Sequence, residues 1–295
     1  MAQVKSFLND LRIEFGICLR SGWTLAMMLL LLALTVFTVW NSYSLIASQV
    51  PIISNLKDYF GTDLQSWLAG SPDAENYRNA ILAANPANSA NLILTSCGGV
   101  GAFIFTIWSA FVVGNDFHRQ TASTRAAHFG WAKVVWCKLI VIALVAAIAV
   151  FVALIGGTLF SHVLWQFILK DFSLAGTLVP DTSLNIFAGY ITIVLGFWLF
   201  SALATVVMLL VKKLPLSVII ILIITSFEMS LYYWWLPMHA FLNIQTGMFT
   251  YFVSSATTLS PTTGPVSGLF VWAIMIAWLL AAVVASHLIA RKQSI

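Results

Sequence analysis

Long apolar runs alternate with short polar segments along the whole chain. A bilayer core about 30 Å thick is crossed by roughly 20 apolar residues in a helix, so runs near that length mark candidate spans. Such runs cover residues 23–40, 92–113, 134–160, 186–211, 216–236 and 267–290. The fourth and fifth runs are separated by "KKLP" at residues 212–215, a charged turn in which proline opposes a continuous helix. This pattern predicts an all-α polytopic membrane protein with six transmembrane helices.

Three segments outside these runs have patterns of their own. Residues 1–20 carry an apolar stripe at helical spacing, formed by Val4, Phe7, Leu8, Leu11, Phe15, Cys18 and Leu19. The stripe predicts an N-terminal interfacial elbow helix that turns the chain into the first span, and a helix packed on a soluble partner is the alternative. Residues 41–91 are mixed in character and predict an outer loop, either loose or folded into a small cap. Residues 237–266 have no formal charge and are too short to cross twice, so they predict re-entrant outer helices before the last span, or else an ordinary loop with apolar packing residues.

Composition and charge support a single membrane domain over residues 1–295. Hydrophobic residues make up 60% of the chain and charged residues only 8%, whereas about a quarter of a soluble domain is charged. Eleven of the 14 basic residues fall on one predicted side: Lys5, Arg12, Arg20, Arg119, Arg125, Lys133, Lys138, Lys212, Lys213, Arg291 and Lys292. The positive-inside rule then places both termini in the cytoplasm. The cations are too few and too dispersed to predict a nucleic-acid partner.

No motif in the sequence predicts an enzymatic or metal site. The chain contains neither the phosphate-binding pattern G-x-x-x-x-G-K-[ST] nor the nucleophile motif G-x-S-x-G, and its five histidines are not clustered. We therefore expect no catalytic residue, no metal and no cofactor in this chain. A multi-span membrane transferase, with Asp58, Asp63, Asp73 and Glu75 supplying chemistry, is one alternative hypothesis. A membrane sensor without transport is another.

Glu228 is the one formal charge well inside a predicted span. A carboxylate there costs several kcal/mol unless it is protonated, paired or facing water. It therefore marks either a polar point on a substrate pathway or a carboxyl group hydrogen-bonded to Ser or Thr of a neighbouring helix. Tyr232 lies one turn away in an aromatic group that fits an interfacial belt or, alternatively, a ligand platform. Gly98 and Gly99 belong to "GGVG", a run of small residues that permits close contact between helices.

The segment "GNDFHRQTASTRAAHFGWAK" at residues 114–133 combines charged and apolar groups at helical spacing between the second and third spans. Asp116 is followed by Gln120-Thr121, then by residues 128–133 and by Lys138. This order resembles the loop of ABC-2 type (type V) ABC exporter permeases, which reads as an acidic residue, Gly-Thr, a P-x-S-R-x-K-like turn and a further lysine. His128 stands where proline is usual in that turn, and Trp131 where arginine is usual. The architecture is also similar to that family, which has six spans, cytoplasmic termini, an elbow helix and re-entrant outer helices.

The resemblance implies a transport subunit rather than an enzyme, in the cell membrane of a bacterium. Residues 114–133 would form a coupling helix region that binds a separate ATP-binding subunit, and that subunit would hold ATP and Mg. The implied contact residues are Asp116, Phe117, Arg119, Thr121, Arg125, Phe129 and Lys133. A second permease subunit, identical or a paralogue, would pack on spans one, two and five. The cargo would be amphipathic or hydrophobic (a peptide antibiotic, lipid or drug), and membrane lipids would surround a pathway that includes Glu228, Tyr232, Gly98 and Gly99.

Overall fold

A computed structural model describes residues 2–60, 74, 85–168, 186–231, 233, 235–248 and 268–293. Every regular element in these ranges is helical. The α-helices are α1 (Ala2–Leu19), α2 (Gly22–Phe60), α3 (Ser89–Ser96), α4 (Ala102–His118), α5 (Ala122–Phe129), α6 (Trp131–Ile168), α7 (Ile186–Val211), α8 (Leu214–Leu231), α9 (Pro237–Met248) and α10 (Gly268–Lys292). A 3-10 turn, Pro86–Asn88, precedes α3, and the π-helical segment Cys97–Gly101 joins α3 to α4.

Within the described ranges, five helical stretches are long and apolar enough to cross a bilayer. They are Gly22–Ser44, Pro86–His118, Trp131–Gln166, Ile186–Val211 and Leu269–Lys292. Helix α8 is equally apolar but shorter. Large apolar side chains on α2 and α8, such as Phe37 and Phe227, are more than 60% exposed. Exposed apolar faces of this extent fit a lipid environment, and the chain is therefore an all-α polytopic membrane protein.

Some boundaries differ from the sequence prediction. Helix α7 has the bounds predicted for the fourth span. Helix α2, however, continues to Phe60, so the prediction of a loop is wrong for residues 41–60. No glycine occurs between residues 23 and 60, and the Asn and Ser residues that indicated a loop are tolerated within a helix. The predicted loop residues 61–73 and 75–84 lie outside the described part of the chain.

The turn between α7 and α8 is also tighter than predicted. Lys212 has φ 56°, and α8 begins at Leu214, so Pro215 lies in the first helical turn. Proline fits there because the N–H that it lacks has no intrahelical acceptor. Helix α8 ends at Leu231 rather than at residue 236, and α9 begins at Pro237 soon afterwards.

The core is organised around α7, which packs against α4, α6, α8 and α10. Gly196 of α7 allows α9 to approach closely, because a Cβ atom at this position would overlap the ring of Phe241. Phe241 is fully buried, so α9 is an internal element of the fold. Helix α9 occupies the first part of the segment predicted to re-enter, and residues 249–267 lie outside the description.

Candidate functional site

The turn between α4 and α5 is closed by backbone hydrogen bonds. The amide of Thr121 donates to the carbonyl of Asp116 at 2.9 Å, and the amide of Gln120 donates to the carbonyl of Phe117 at 3.3 Å. Gln120 has φ 55°, a left-handed conformation that glycine adopts most readily. This pattern is a Schellman motif, which satisfies the last carbonyl groups of α4 and reverses the chain. It therefore sets the position of α5 beside the end of α4.

A cluster of four charged side chains then fixes α5 to three other helices. The guanidinium of Arg125 on α5 donates to both carboxylate oxygens of Asp116 on α4, at 2.9 and 2.8 Å, and also pairs with Glu14 on α1. The ammonium of Lys138 on α6 lies 3.3 Å from the Asp116 carboxylate and 3.9 Å from that of Glu14. We call these four residues the junction cluster. It joins α1, α4, α5 and α6.

The junction cluster is removed from solvent but balanced in charge. The side chains of Glu14, Asp116 and Lys138 are each less than 10% exposed, and that of Arg125 is 18% exposed. Burial lowers the pKa of Arg125, yet a guanidinium in a protein stays protonated, and it faces two carboxylates here. Lys138 also donates to the carbonyl of Val112 at 2.7 Å. Two cations and two anions therefore compensate each other in a region of low dielectric.

Two further contacts hold the beginning of α6. The Lys133 ammonium pairs with the Asp10 carboxylate of α1. The rings of Phe117 and Trp131 meet edge to face, with centroids 5.3 Å apart. Trp131 is only 3% exposed, so it is a packing residue between helices rather than part of an interfacial belt.

The residues predicted to contact a partner therefore occupy two different environments. Arg119 and Thr121 are exposed beside α5, together with Ser123 and Thr124 on α5 itself. Asp116, Phe117, Arg125 and Lys133 instead make contacts within the chain. The side chain of Phe129 lies outside the described part. Which of these residues touch a partner stays a prediction.

The apolar stripe predicted for α1 does not include its two carboxylates, Asp10 and Glu14. Glu14 is nevertheless buried, and it is paired with Arg125. A signal was present, because Glu14 follows Leu11 by three residues and precedes Cys18 by four, which places it on the same helical face. An acidic residue within an apolar stripe indicates a buried cationic partner.

A second charged site lies where α8 meets α9. The Glu228 carboxylate accepts a hydrogen bond from the backbone amide of Met238, near the beginning of α9. The side chain of His239 donates to the backbone carbonyl of Glu228 at 3.0 Å. Glu228 therefore caps the amino end of α9, where a carboxylate also interacts favourably with the helix dipole. Among the described residues, the partner of this carboxyl group is thus a helix-terminal amide, where a Ser or Thr side chain was one expectation.

Glu228 also lines an apolar cavity of about 330 Å³ between α4, α7, α8 and α10. Its other walls are mainly aliphatic and aromatic, with the polar side chains of Thr106 and Thr225 among them. The remaining pathway candidates lie elsewhere. A Cβ atom at Gly98 would overlap the side chain of Gln245 on α9, whereas one at Gly99 would meet nothing within 4 Å. Tyr232 lies outside the described residues.

The alternative sites for metal binding and for enzymatic chemistry can be located in the part of the chain that the structure covers. It contains no group of three or more His, Cys, Asp or Glu side chains that could hold a metal ion. Of the four carboxylates considered for a transferase, Asp58 is exposed near the end of α2, and Asp63, Asp73 and Glu75 are outside the described ranges. A scan against protein-family models found no match, and a search of curated proteins found no significantly similar sequence.

Proposed function

We propose that this chain is the permease subunit of an ATP-driven ABC-2 type exporter, powered by a separate ATP-binding subunit. The observation that carries the proposal is the attachment of α5. This eight-residue helix lies between two long apolar helices, and Arg125 ties it to Asp116 and Glu14 through buried ion pairs. A short helix fixed in this way is suited to receive force from a soluble partner and to pass it to several spans.

The proposed coupling depends on the stiffness of the junction cluster. One terminal nitrogen of the Arg125 guanidinium contacts both oxygens of Asp116, and the other terminal nitrogen pairs with Glu14, so one rigid planar group links two carboxylates. Lys138 connects the Asp116 carboxylate to α6. A displacement of α5 would break favourable contacts between buried charges unless α1, α4 and α6 moved with it. ATP binding and hydrolysis in the partner would therefore rock these helices together.

The contact between Asp116 and Lys138 supports the register of the family resemblance. These residues stand at the acidic position and at the last lysine of the loop pattern, 22 positions apart, and their charged groups lie 3.3 Å apart. Gln120, which departs from the Gly-Thr pair, has the positive φ that glycine favours. The positive φ at Gln120 is thus the conformation that a glycine at this position of the family pattern would adopt without strain.

In this proposal the predicted contact residues divide into two groups. Asp116, Phe117, Arg125 and Lys133 position the coupling helix, because they are engaged within the chain. The exposed side chains beside them, among them Arg119, meet the ATP-binding subunit. Helix α8 is the fifth of the six proposed spans in chain order, α1 is the elbow helix at the inner interface, and α9 is the first re-entrant helix. The exposed apolar faces of α2 and α8 contact lipid or a second permease subunit.

The proposed cargo is hydrophobic or amphipathic. The cavity beside Glu228 has apolar walls and a single carboxylate, which does not suit a hydrophilic ion or sugar. Its volume of about 330 Å³ lies at the lower end of the range for small-molecule sites. We expect amphipathic peptides or lipophilic drugs to stimulate ATP hydrolysis by the reconstituted complex. Stimulation by small polar solutes alone would overturn this assignment of cargo.

Affinity purification from the native host tests the proposed function. The tagged chain is extracted in mild detergent and its co-purifying proteins are identified by mass spectrometry. We expect a P-loop ATPase to be recovered, and recovery to fall severalfold for the double variant Arg119→Glu, Thr124→Glu. Arg12→Glu is the matched control, because Arg12 is an exposed cation on α1 away from α5. If the folded chain recovers no ATPase, the coupling mechanism is wrong.

A further inference from the structure

A cavity of about 720 Å³ lies beside α5, at the beginning of α6 and the end of α10. Lys133, Trp136, His287 and Arg291 line it, and Trp131 forms part of its apolar wall. No Asp or Glu is among the lining residues that the structure describes. The proposed function does not use this cavity.

The hydrogen-bond donors around the cavity suit an anion. The indole N–H of Trp136 donates to Nδ1 of His287 at 2.9 Å. Because an indole nitrogen can only donate, Nδ1 of His287 must be the acceptor, and its proton resides on Nε2. The imidazole therefore presents a donor at Nε2. Arg291 adds an exposed guanidinium, and Lys133, already paired with Asp10, has three N–H groups to share.

The position of the cavity indicates a lipid rather than a water-soluble ligand. It lies at the ends of two apolar helices, α6 and α10, where a bilayer core gives way to water. Trp136, which is partly exposed, and Ala290 supply apolar surface next to the cationic groups. Tryptophan is favoured at the level of lipid headgroups because it combines an apolar body with one donor. Basic pockets between spanning helices at such a boundary bind anionic headgroups.

We propose that this cavity binds the headgroup of an anionic phospholipid. Arg291 and the Nε2–H of His287 donate to its phosphate oxygens, the ammonium of Lys133, which also pairs with Asp10, is a further donor, and the acyl chains leave along the apolar surfaces of α6 and α10. Ala127 and Gly130, at the end of α5 and directly after it, also line the cavity. The lipid therefore contacts the segment that links α5 to α6. This proposal does not depend on transport, because it requires only the membrane-spanning fold.

Native mass spectrometry of the chain purified in mild detergent tests the proposal. The chain is titrated with phosphatidylglycerol and phosphatidylcholine of identical acyl chains. We expect tighter binding of phosphatidylglycerol, and a loss of about tenfold in its affinity for Arg291→Gln, the change expected when one charge-assisted contact is lost. Lys213→Gln is the matched control, because Lys213 is an exposed cation at the turn before α8 and does not line the cavity. We expect this control to bind like the native chain.

Two further measurements show which groups of the protein and of the lipid are responsible for the binding. His287→Gln lacks the imidazole donor but leaves every cation in place, so weaker phosphatidylglycerol binding by this variant supports the geometry given above. Glycerol phosphate at the same concentration carries the charge without acyl chains and should compete poorly. Equal binding of the two lipids, an equal loss in Lys213→Gln, or full displacement by glycerol phosphate would each overturn the proposal.

Discussion

Two helix junctions of this protein use buried charge in opposite ways. The junction cluster brings four formally charged side chains from four helices together in pairs of opposite sign. The junction of α8 with α9 has one carboxylate, Glu228, whose described partner is the neutral backbone amide of Met238. The first arrangement is stable only when every member is present, whereas the second depends on one acceptor. Loss of a charged side chain is therefore expected to cost more at the first junction than at the second.

The free energy lost when a side chain is removed differs between the two junctions for a physical reason. Removing one member of a buried ion-pair cluster leaves its partner as an uncompensated charge and costs about 3–5 kcal/mol. Removing a neutral hydrogen-bond partner leaves an unpaired dipole, at a cost of about 1–3 kcal/mol. The comparison therefore predicts that the destabilisation caused by a substitution depends mainly on the net charge that it leaves behind. The number of contacts that it removes should matter less.

The largest effect is expected for Arg125→Met. This variant keeps much of the side-chain volume. It leaves the carboxylates of Glu14 and Asp116 with Lys138 as the single cation of the junction cluster, which then has an excess negative charge. We expect a destabilisation of about 3–5 kcal/mol, measured from the midpoint of thermal unfolding in detergent. Arg119→Met is the matched control, because Arg119 is exposed, and its midpoint should equal that of the native chain.

The double variant Glu14→Gln, Arg125→Met shows whether charge balance is the cause. It restores equal numbers of positive and negative charges, since Asp116 and Lys138 remain 3.3 Å apart. We expect it to recover more than half of the stability lost in Arg125→Met. A double variant no more stable than the single one would show that lost packing, rather than uncompensated charge, determines the cost.

A matched pair of Glu→Gln substitutions compares the two junctions directly. Glu228→Gln keeps an oxygen that can accept from the Met238 amide, so its cost should stay below about 1 kcal/mol, the net value of a neutral hydrogen bond. Glu14→Gln leaves an excess positive charge in the junction cluster and should cost clearly more. Glu228→Leu, which removes the acceptor, should cost about 1–3 kcal/mol. Equal unfolding midpoints for the two Gln variants would contradict the distinction between the junctions.

The sequence predicted the helical membrane class well and the charged junctions less well. Apolar runs such as residues 186–211 identify spans because only a helix satisfies its backbone polar groups in lipid. The helical extension to Phe60 and the early end of α8 were missed, because polar composition and proline mark boundaries only within a few residues. The apolar stripe indicates that Glu14 is buried beside a cation, but the cation is Arg125, more than 100 positions away, and the local pattern does not identify it. The Glu228 contact likewise required the position of α9.

The smallest expected effect concerns Gln120, whose backbone sets the turn that leads into the junction cluster. Its φ of 55° is unfavourable for a residue with a Cβ atom and is the conformation that glycine adopts most readily in this position. Gln120→Gly should relieve about 1 kcal/mol of this strain, partly offset by the greater entropy of glycine in the unfolded chain. We expect a small rise in the unfolding midpoint, and Gln120→Val should lower it, because a β-branched residue tolerates positive φ least. If both variants unfold at the native temperature, the turn does not limit the stability of the junction.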